Sequence, residues 1–281
     1  MKQQKTSFKI GIKNYTFKYS GKTFYGQNKV LLDEQDNLLE KTLFDKNGYG
    51  IVNFNKYINF KNIKSLIESI IKKQIKKFTK INLKKFKLEK YHDYVDLENH
   101  YKIIKVISKG INFQKSFQRK KLEKFLSEIL QIKVSTLNKN FRNKKHKFYL
   151  DPKKFFLRIV RPNKNDFNPP HRDAYFDNHA NGINIFIPIA GSNNKSSLPV
   201  FPKSQRINEK NVLRTKLNSK FNNLKFSVPL IVKTKPKIIL KRPNPKKGQM
   251  MIFSSNLIHG GGINDNKNLT RFSIELRFWR V

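Results

Sequence analysis

GQMMIFSSNLIHGGGIN, residues 248–264, runs from a glycine through an apolar segment into His259 and three further glycines. A short apolar run bounded by turn residues reads as a buried strand. His259 then stands at the mouth of that strand, where Gly260 to Gly262 remove side-chain bulk beside it. Runs of the same texture recur from Phe155 onward: FFLRIVRP (155–162), INIFIPIAG (183–191), LPVFP (198–202), KIILKRP (237–243) and RFSIELRFW (271–279). Several short strands separated by Gly, Pro and Asn turns, with no helix between most of them, predict a β-sandwich or jelly roll.

The first half reads differently. Residues 8–32 alternate apolar and polar positions around Gly21 and Gly26 and predict a short antiparallel meander capping a larger sheet. In IKSLIESIIKKQIKKFTKINL (63–83) apolar residues fall at helical spacing, with Leu66, Ile67, Ile70, Ile71 and Ile75 on one broad face and lysines outside. A second helical block runs from about Leu97 to Val134, broken near Gly110. The expectation is a mainly β protein with flanking α-helices: residues 1–147 form strands and helices packed on a jelly-roll core at 148–281, within one structural unit. The polar stretch 203–226 reads as a lid or a surface excursion.

Composition bounds the function. The 281 residues suffice for a sizeable buried core, and 37% hydrophobic content with 24 Phe argues against disorder. Sixty basic against 19 acidic residues leave a net charge of +41, which would attract nucleic acid, an anionic membrane or a phosphorylated substrate. An AT-rich coding sequence would produce the same excess of Lys, Asn and Ile, and the lysines are scattered rather than gathered into a stripe. The absence of cysteine removes disulfides, thiolate metal sites and Cys nucleophiles. No signal-peptide core or membrane-length apolar run is present, so the expectation is a soluble cytoplasmic protein; the oligomeric state stays open.

Six histidines are present, of which His92, His100 and His146 lie in lysine-rich surroundings and read as surface or packing residues. NPPHRDAYFDNH (168–179) is different. On an extended chain His171 and Asp173 point to the same side, so imidazole and carboxylate can converge on one ion. With His259 they make two histidines and one carboxylate, the donor set of a facial Fe(II) triad, although zinc takes the same ligands. Asp177 and His179 read as loop residues. On the last strand Arg271 and Ser273 share the face opposite Phe272 and Ile274, an arrangement suited to holding a carboxylate. That supplies an anchor for a dicarboxylic acid whose other end chelates the metal.

The order His-x-Asp, distant His, Arg-x-Ser resembles the Fe(II)/2-oxoglutarate-dependent dioxygenases, and within them the phytanoyl-CoA dioxygenase-like group. LPVFPKSQR (198–206) is similar to that group's Leu-x-Val-x-Pro-Gly-Ser-His-Arg segment, with Lys203 in place of glycine and Gln205 in place of histidine. The resemblance covers about 155–281. It implies a double-stranded β-helix in which His171, Asp173 and His259 bind Fe(II) as catalytic metal ligands and Arg271 and Ser273 hold 2-oxoglutarate. Asn184 is a further candidate contact to co-substrate or substrate, Tyr175 a candidate substrate contact, and Arg158 and Arg277 flank the pocket. The activity implied is hydroxylation of a small organic, plausibly anionic, substrate with O2. Two alternatives remain at this level: a nucleic-acid dealkylase of the same superfamily, for which RFSIELR has a similar Arg-x5-Arg spacing, and a non-catalytic basic binding protein.

Overall fold

The computed structural model describes residues 3–31, 39, 41–42, 44–138, 151–164, 168–176, 179–221, 224–225 and 228–281. Asp177 and His146 lie outside the described residues. In chain order the elements are β1 (Gln4–Ile10), β2 (Lys13–Ser20), β3 (Thr23–Tyr25), β4 (Tyr49–Asn53), α1 (Phe60–Phe78), α2 (Tyr91–Tyr94), α3 (Leu97–Ile107), β5 (Ile111–Asn112), α4 (Arg119–Leu130), β6 (Val134–Ser135) and β7 (Lys154–Val160). They continue as β8 (Ile183–Ala190), β9 (Val212–Thr215), β10 (Lys220–Phe221), β11 (Leu224–Lys225), β12 (Ile231–Thr234), β13 (Ile239–Leu240), β14 (Gln249–Ser254) and β15 (Arg271–Arg280).

The chain is mostly β, with strands stacked in two jelly-roll-like layers. The long layer has the order β4-β14-β8-β15-β7-β5. Its strands alternate strictly: Ile185, Met250, Ile252, Ile274 and Phe278 pack on one face with the helices, while Phe186, Met251 and Phe253 point to the other. Pro188 sits within β8, in the middle of this sheet, where a missing N–H would ordinarily break the ladder. The pairing of β15 with β8 shifts register at that point, from Phe272 opposite Ala190 to Ser273 opposite Pro188. A bulge therefore accommodates the proline.

The facing layer is built from single bridges. His171 pairs with His259, His259 with Val200, and Val200 with Lys241, all antiparallel. Leu198, Val200 and Leu257 from this side meet Phe186, Met251 and Phe253 from the long layer. At its edge β13 pairs in parallel with β1, which continues into β2, β10 and β11.

Helix α1 follows from its sequence. Asn59 accepts a hydrogen bond from the Lys61 N–H at its N-terminus, and Lys76 and Lys77 sit in the last turn, where the helix dipole favours cations. Ile63, Ile67, Ile71 and Ile75, four residues apart, form one fully buried stripe against the outer face of the long layer. The helix stops at Phe78, short of the predicted Leu83, because Thr79 turns extended and caps it. The second block divides as expected: Gly110, at φ +81°, separates α3 from the short β5 that precedes α4.

The meander needs correction. The first hairpin turns at Gly11 and Ile12, not at Gly21 or Gly26, and β3 leaves it to pair with β9. Gly21 and Gly26 are sites of close approach: an added Cβ would lie 2.4 Å from Ser219 Oγ and 2.5 Å from Glu209 Cβ. Residues 203–226 are likewise not a loose excursion, since they supply β9 and β10 and bury Ser204, Gln205 and Glu209. No helix among the described residues is long and apolar enough to cross a membrane.

Candidate metal centre

Strand β14 ends at Ser254, earlier than the apolar run suggests, and a turn closed by Leu257 N–H on Ser254 C=O carries the chain into the facing layer. His259 therefore belongs to the layer opposite β14. There it exchanges two backbone hydrogen bonds with His171, N to O at 2.9 and 3.0 Å. Arg172 is extended, so Asp173 returns to the side of His171. The three side chains converge: His171 Nε2 lies 3.2 Å and His259 Nε2 3.9 Å from Asp173 Oδ1. One ligand atom from each falls within 4.8 Å of the others, and all three residues are buried.

The hydrogen bonds around this cluster aim its lone pairs inward. His171 Nδ1 is 2.6 Å from the Pro169 carbonyl and His259 Nδ1 is 2.9 Å from the Leu257 carbonyl. A carbonyl only accepts, so each Nδ1 carries the proton and each Nε2 presents its lone pair to the centre. Burial lowers the His259 imidazole to about 4 against the pull of Asp173, which keeps it neutral at physiological pH. Burial alone would raise the Asp173 carboxyl. The Arg277 guanidinium leads the opposing effects and holds it well below the usual carboxylate range. Arg277 donates to Asp173 Oδ2 from both Nε, at 2.8 Å, and Nη2, at 2.6 Å. One carboxylate oxygen is thus occupied and the other faces the histidines.

A narrow cleft opens on the cluster; besides His171, Asp173 and His259, Asn184, Leu198, Phe253, Glu275 and Arg277 line it. Asn184 lies opposite Arg277 on β15 and Phe253 on β14, and its buried amide nitrogen has no partner among the described residues. Arg271 and Ser273 occupy the same face of β15 as Arg277 but do not line the cleft. Both are fully buried further along the strand, where Arg271 Nη1 donates to the Ser196 carbonyl at 2.8 Å and Ser273 Oγ has no hydrogen-bond partner among the described residues.

Other candidates resolve individually. Arg158 pairs with Glu275 at 2.9 Å. Tyr175 turns away from the cleft, donating to Glu209 and packing its ring 4.2 Å from the Arg214 guanidinium. His179 lies outside the named strands and helices and is buried edge-on to Phe176, where burial, reinforced by Arg277, lowers its imidazole to about 3. His100 is a packing residue, bonded to the Tyr91 hydroxyl. The Arg277 clamp on Asp173 went unassigned in the sequence, although the signal is there in its alternation phase, which it shares with Arg271 and Ser273.

Two crystal structures of EctD from S. alaskensis are similar to this chain. The apoform aligns at 10% identity over 99% of this chain and 85% of its own, and the form with 2-oxoglutarate and 5-hydroxyectoine at 11% over 94% and 86%; both have a TM-score of 0.43. Similarity at that level decides neither fold nor chemistry, which rest on the strand order and the side-chain geometry. No protein-family model and no curated protein matches the chain.

Proposed function

We propose that the protein is an Fe(II)- and 2-oxoglutarate-dependent dioxygenase that hydroxylates a C–H bond of a small organic substrate. The observation that carries this reading is the convergence of His171 Nε2, His259 Nε2 and Asp173 Oδ1 on one buried point beside a cleft. Two imidazole Nε2 atoms and a single carboxylate oxygen fit a first-row divalent ion while leaving coordination positions for a co-substrate.

When bound, Fe(II) with 2-oxoglutarate and O2 would supply the oxidising power, and decarboxylation of the co-substrate to succinate and CO2 accompanies hydroxylation. The chain's own share is positional. His171, Asp173 and His259 hold the metal, and Arg277 keeps Asp173 ionised and presenting one oxygen. Arg271 and Ser273, buried on the cleft's face of β15 beyond its present lining, would hold the distal carboxylate of 2-oxoglutarate on opening of the cleft along that strand; the Ser273 hydroxyl, without a hydrogen-bond partner among the described residues, supports this assignment. Asn184 offers an amide donor beside the metal, and Leu198 and Phe253 keep the cleft dry. Retention of the Asp173 carboxylate favours hydroxylation over halogenation, in which related enzymes give that ligand up for halide.

The layer order supports a double-stranded β-helix, with the helices of 1–147 and the core of 148–281 as one unit around a shared apolar cluster. Membership of the phytanoyl-CoA dioxygenase-like group is supported by Lys203, which adopts the left-handed conformation, φ +66°, that a glycine there would take without strain.

The test is succinate release from 2-oxoglutarate by protein prepared without oxygen and loaded with Fe(II), together with anaerobic 2-oxoglutarate binding. Wild type should bind and slowly turn over the co-substrate, His171→Ala should do neither, and Arg271→Ala should bind it at least tenfold more weakly. Wild-type protein that binds neither Fe(II) nor 2-oxoglutarate overturns the reading.

A further inference from the structure

Ser204 and Glu209 do not line the cleft at the His171, Asp173 and His259 cluster, yet each contacts a segment that carries metal ligands. Arg172 lies between His171 and Asp173 in extended conformation, so its side chain leaves on the opposite side from theirs. It is fully buried, an unusual setting for a guanidinium. Its Nη1 lies 2.9 Å from Glu209 Oε1, and its Nη2 donates to the carbonyls of Ser204, at 2.7 Å, and Ile207, at 3.2 Å.

Glu209 is itself 1% exposed. It also accepts from the Tyr175 hydroxyl at 3.3 Å and lies 3.3 Å from Arg214 Nε, whose guanidinium stacks between the rings of Tyr175 and Phe24. The Glu209 backbone is pinned to the N-terminal segment on both sides, N–H to Lys29 C=O at 2.8 Å and C=O from Gly26 N–H at 3.0 Å. Ser204 works on the other arm: its Oγ accepts from the N–H of Ile258, the residue before His259, at 2.8 Å.

We propose that Ser204 and Glu209 are positioning residues for the metal centre, acting on His171 and Asp173 through Arg172 and on His259 through Ile258. The 204–209 segment is then a bracket that sets the separation of the two ligand arms from behind. Those arms are joined by backbone bonds at His171 with His259 and, on either side, by Gly261 N–H on Asn168 C=O, at 2.6 Å, and Ala174 N–H on Ser255 C=O, at 3.0 Å, so the bracket adds to a register that the backbone already sets. Buried contacts to the residues beside the ligands add a constraint from behind, and loss of groups that orient metal ligands typically costs about 10–100-fold in metal affinity. The inference rests on the metal-centre reading above.

Co(II) titration of the full chain tests it, with affinity and the visible d–d absorption of the bound ion as readouts. Ser204→Ala and Glu209→Gln should each weaken Co(II) binding about tenfold or more and shift the d–d bands, and Glu209→Asp, which restores the charge, should recover part of the affinity. Ile67→Ala, in α1 and remote from the centre, provides a control: it should lower the unfolding temperature while leaving Co(II) affinity within twofold of wild type. Should Glu209→Gln fail to fold, Ser204→Ala decides alone, since it removes one oxygen. Folded variants with wild-type affinity and spectrum overturn the proposal and leave the metal-centre reading standing. Wild-type protein that binds no Co(II) overturns that reading and the proposal together.

Discussion

At the scale of single residues, the Asp173 carboxylate is where opposing forces are largest. It is buried, which favours the neutral acid, and it touches Arg277 through two hydrogen bonds to one oxygen, which favours the anion. The arginine wins because the contact is charged, short and shielded from water. Arg277→Gln would remove the positive charge while keeping a polar group there, and the carboxyl would move back up toward its ordinary range. A proton and a metal compete for the same oxygen, so the pH below which metal is lost should rise in the variant. Co(II) affinity measured from pH 5 to 8 should fall about 10-fold or more at the acid end and less at the alkaline end. Superposable pH curves for variant and wild type would show that Arg277 does not set the ionisation of Asp173.

At the scale of elements, what was legible depended on whether the signal repeats. The isoleucines of α1 recur every fourth residue and announce a buried stripe, which the structure places against the long layer with Ile63, Ile67, Ile71 and Ile75 inaccessible. Because Ile67 has no solvent to relax into, Ile67→Ala should cost about 2–5 kcal/mol, readable as a fall in urea midpoint with little change in slope. The long layer was legible in its short apolar runs bounded by turn residues, in β14 and β8, and in the alternation of β15. The facing layer was not: at His171, Val200, Lys241 and His259 it consists of single bridges between residues far apart in sequence, and one residue pair has no period. The candidate ligands were nonetheless found, because His-x-Asp needs only extended backbone to place both groups on one side. Glycine misled where it marked close approach instead of a turn, as at Gly21 and Gly26. The bracket at Ser204 and Glu209 left no local trace, since Glu209 looks like any surface acid until the fold closes over it.

At the scale of the whole molecule, charge is the dominant feature, and its distribution is uneven. Nineteen acidic side chains can neutralise at most 19 of the 60 basic ones. Several acids are used inside on arginines: Asp173 with Arg277, Glu209 with Arg172, Asp265 with Arg242. Arginine suits those buried sites because its fork satisfies several acceptors and its guanidinium is weakly hydrated. Acidification therefore works against this fold in two ways, adding to the net positive charge and charging groups that the fold keeps neutral. His100 shows the second effect away from the cleft: burial, with a smaller contribution from Arg161, lowers its imidazole to about 4, whereas the unfolded chain titrates near 6.5. Between those values the unfolded state holds a proton that the folded state refuses, so stability is intact above about pH 6.5 and is lost as pH falls toward 4. His179 acts with the same sign, and so does His259 when no metal holds it. Urea midpoints measured from pH 7.5 to 4 should be flat at the upper end and fall through the lower, and His100→Gln should make that fall shallower by up to one proton, about 1.4 kcal/mol per pH unit. A variant whose midpoints descend parallel to wild type would show that His100 titrates normally in the folded protein.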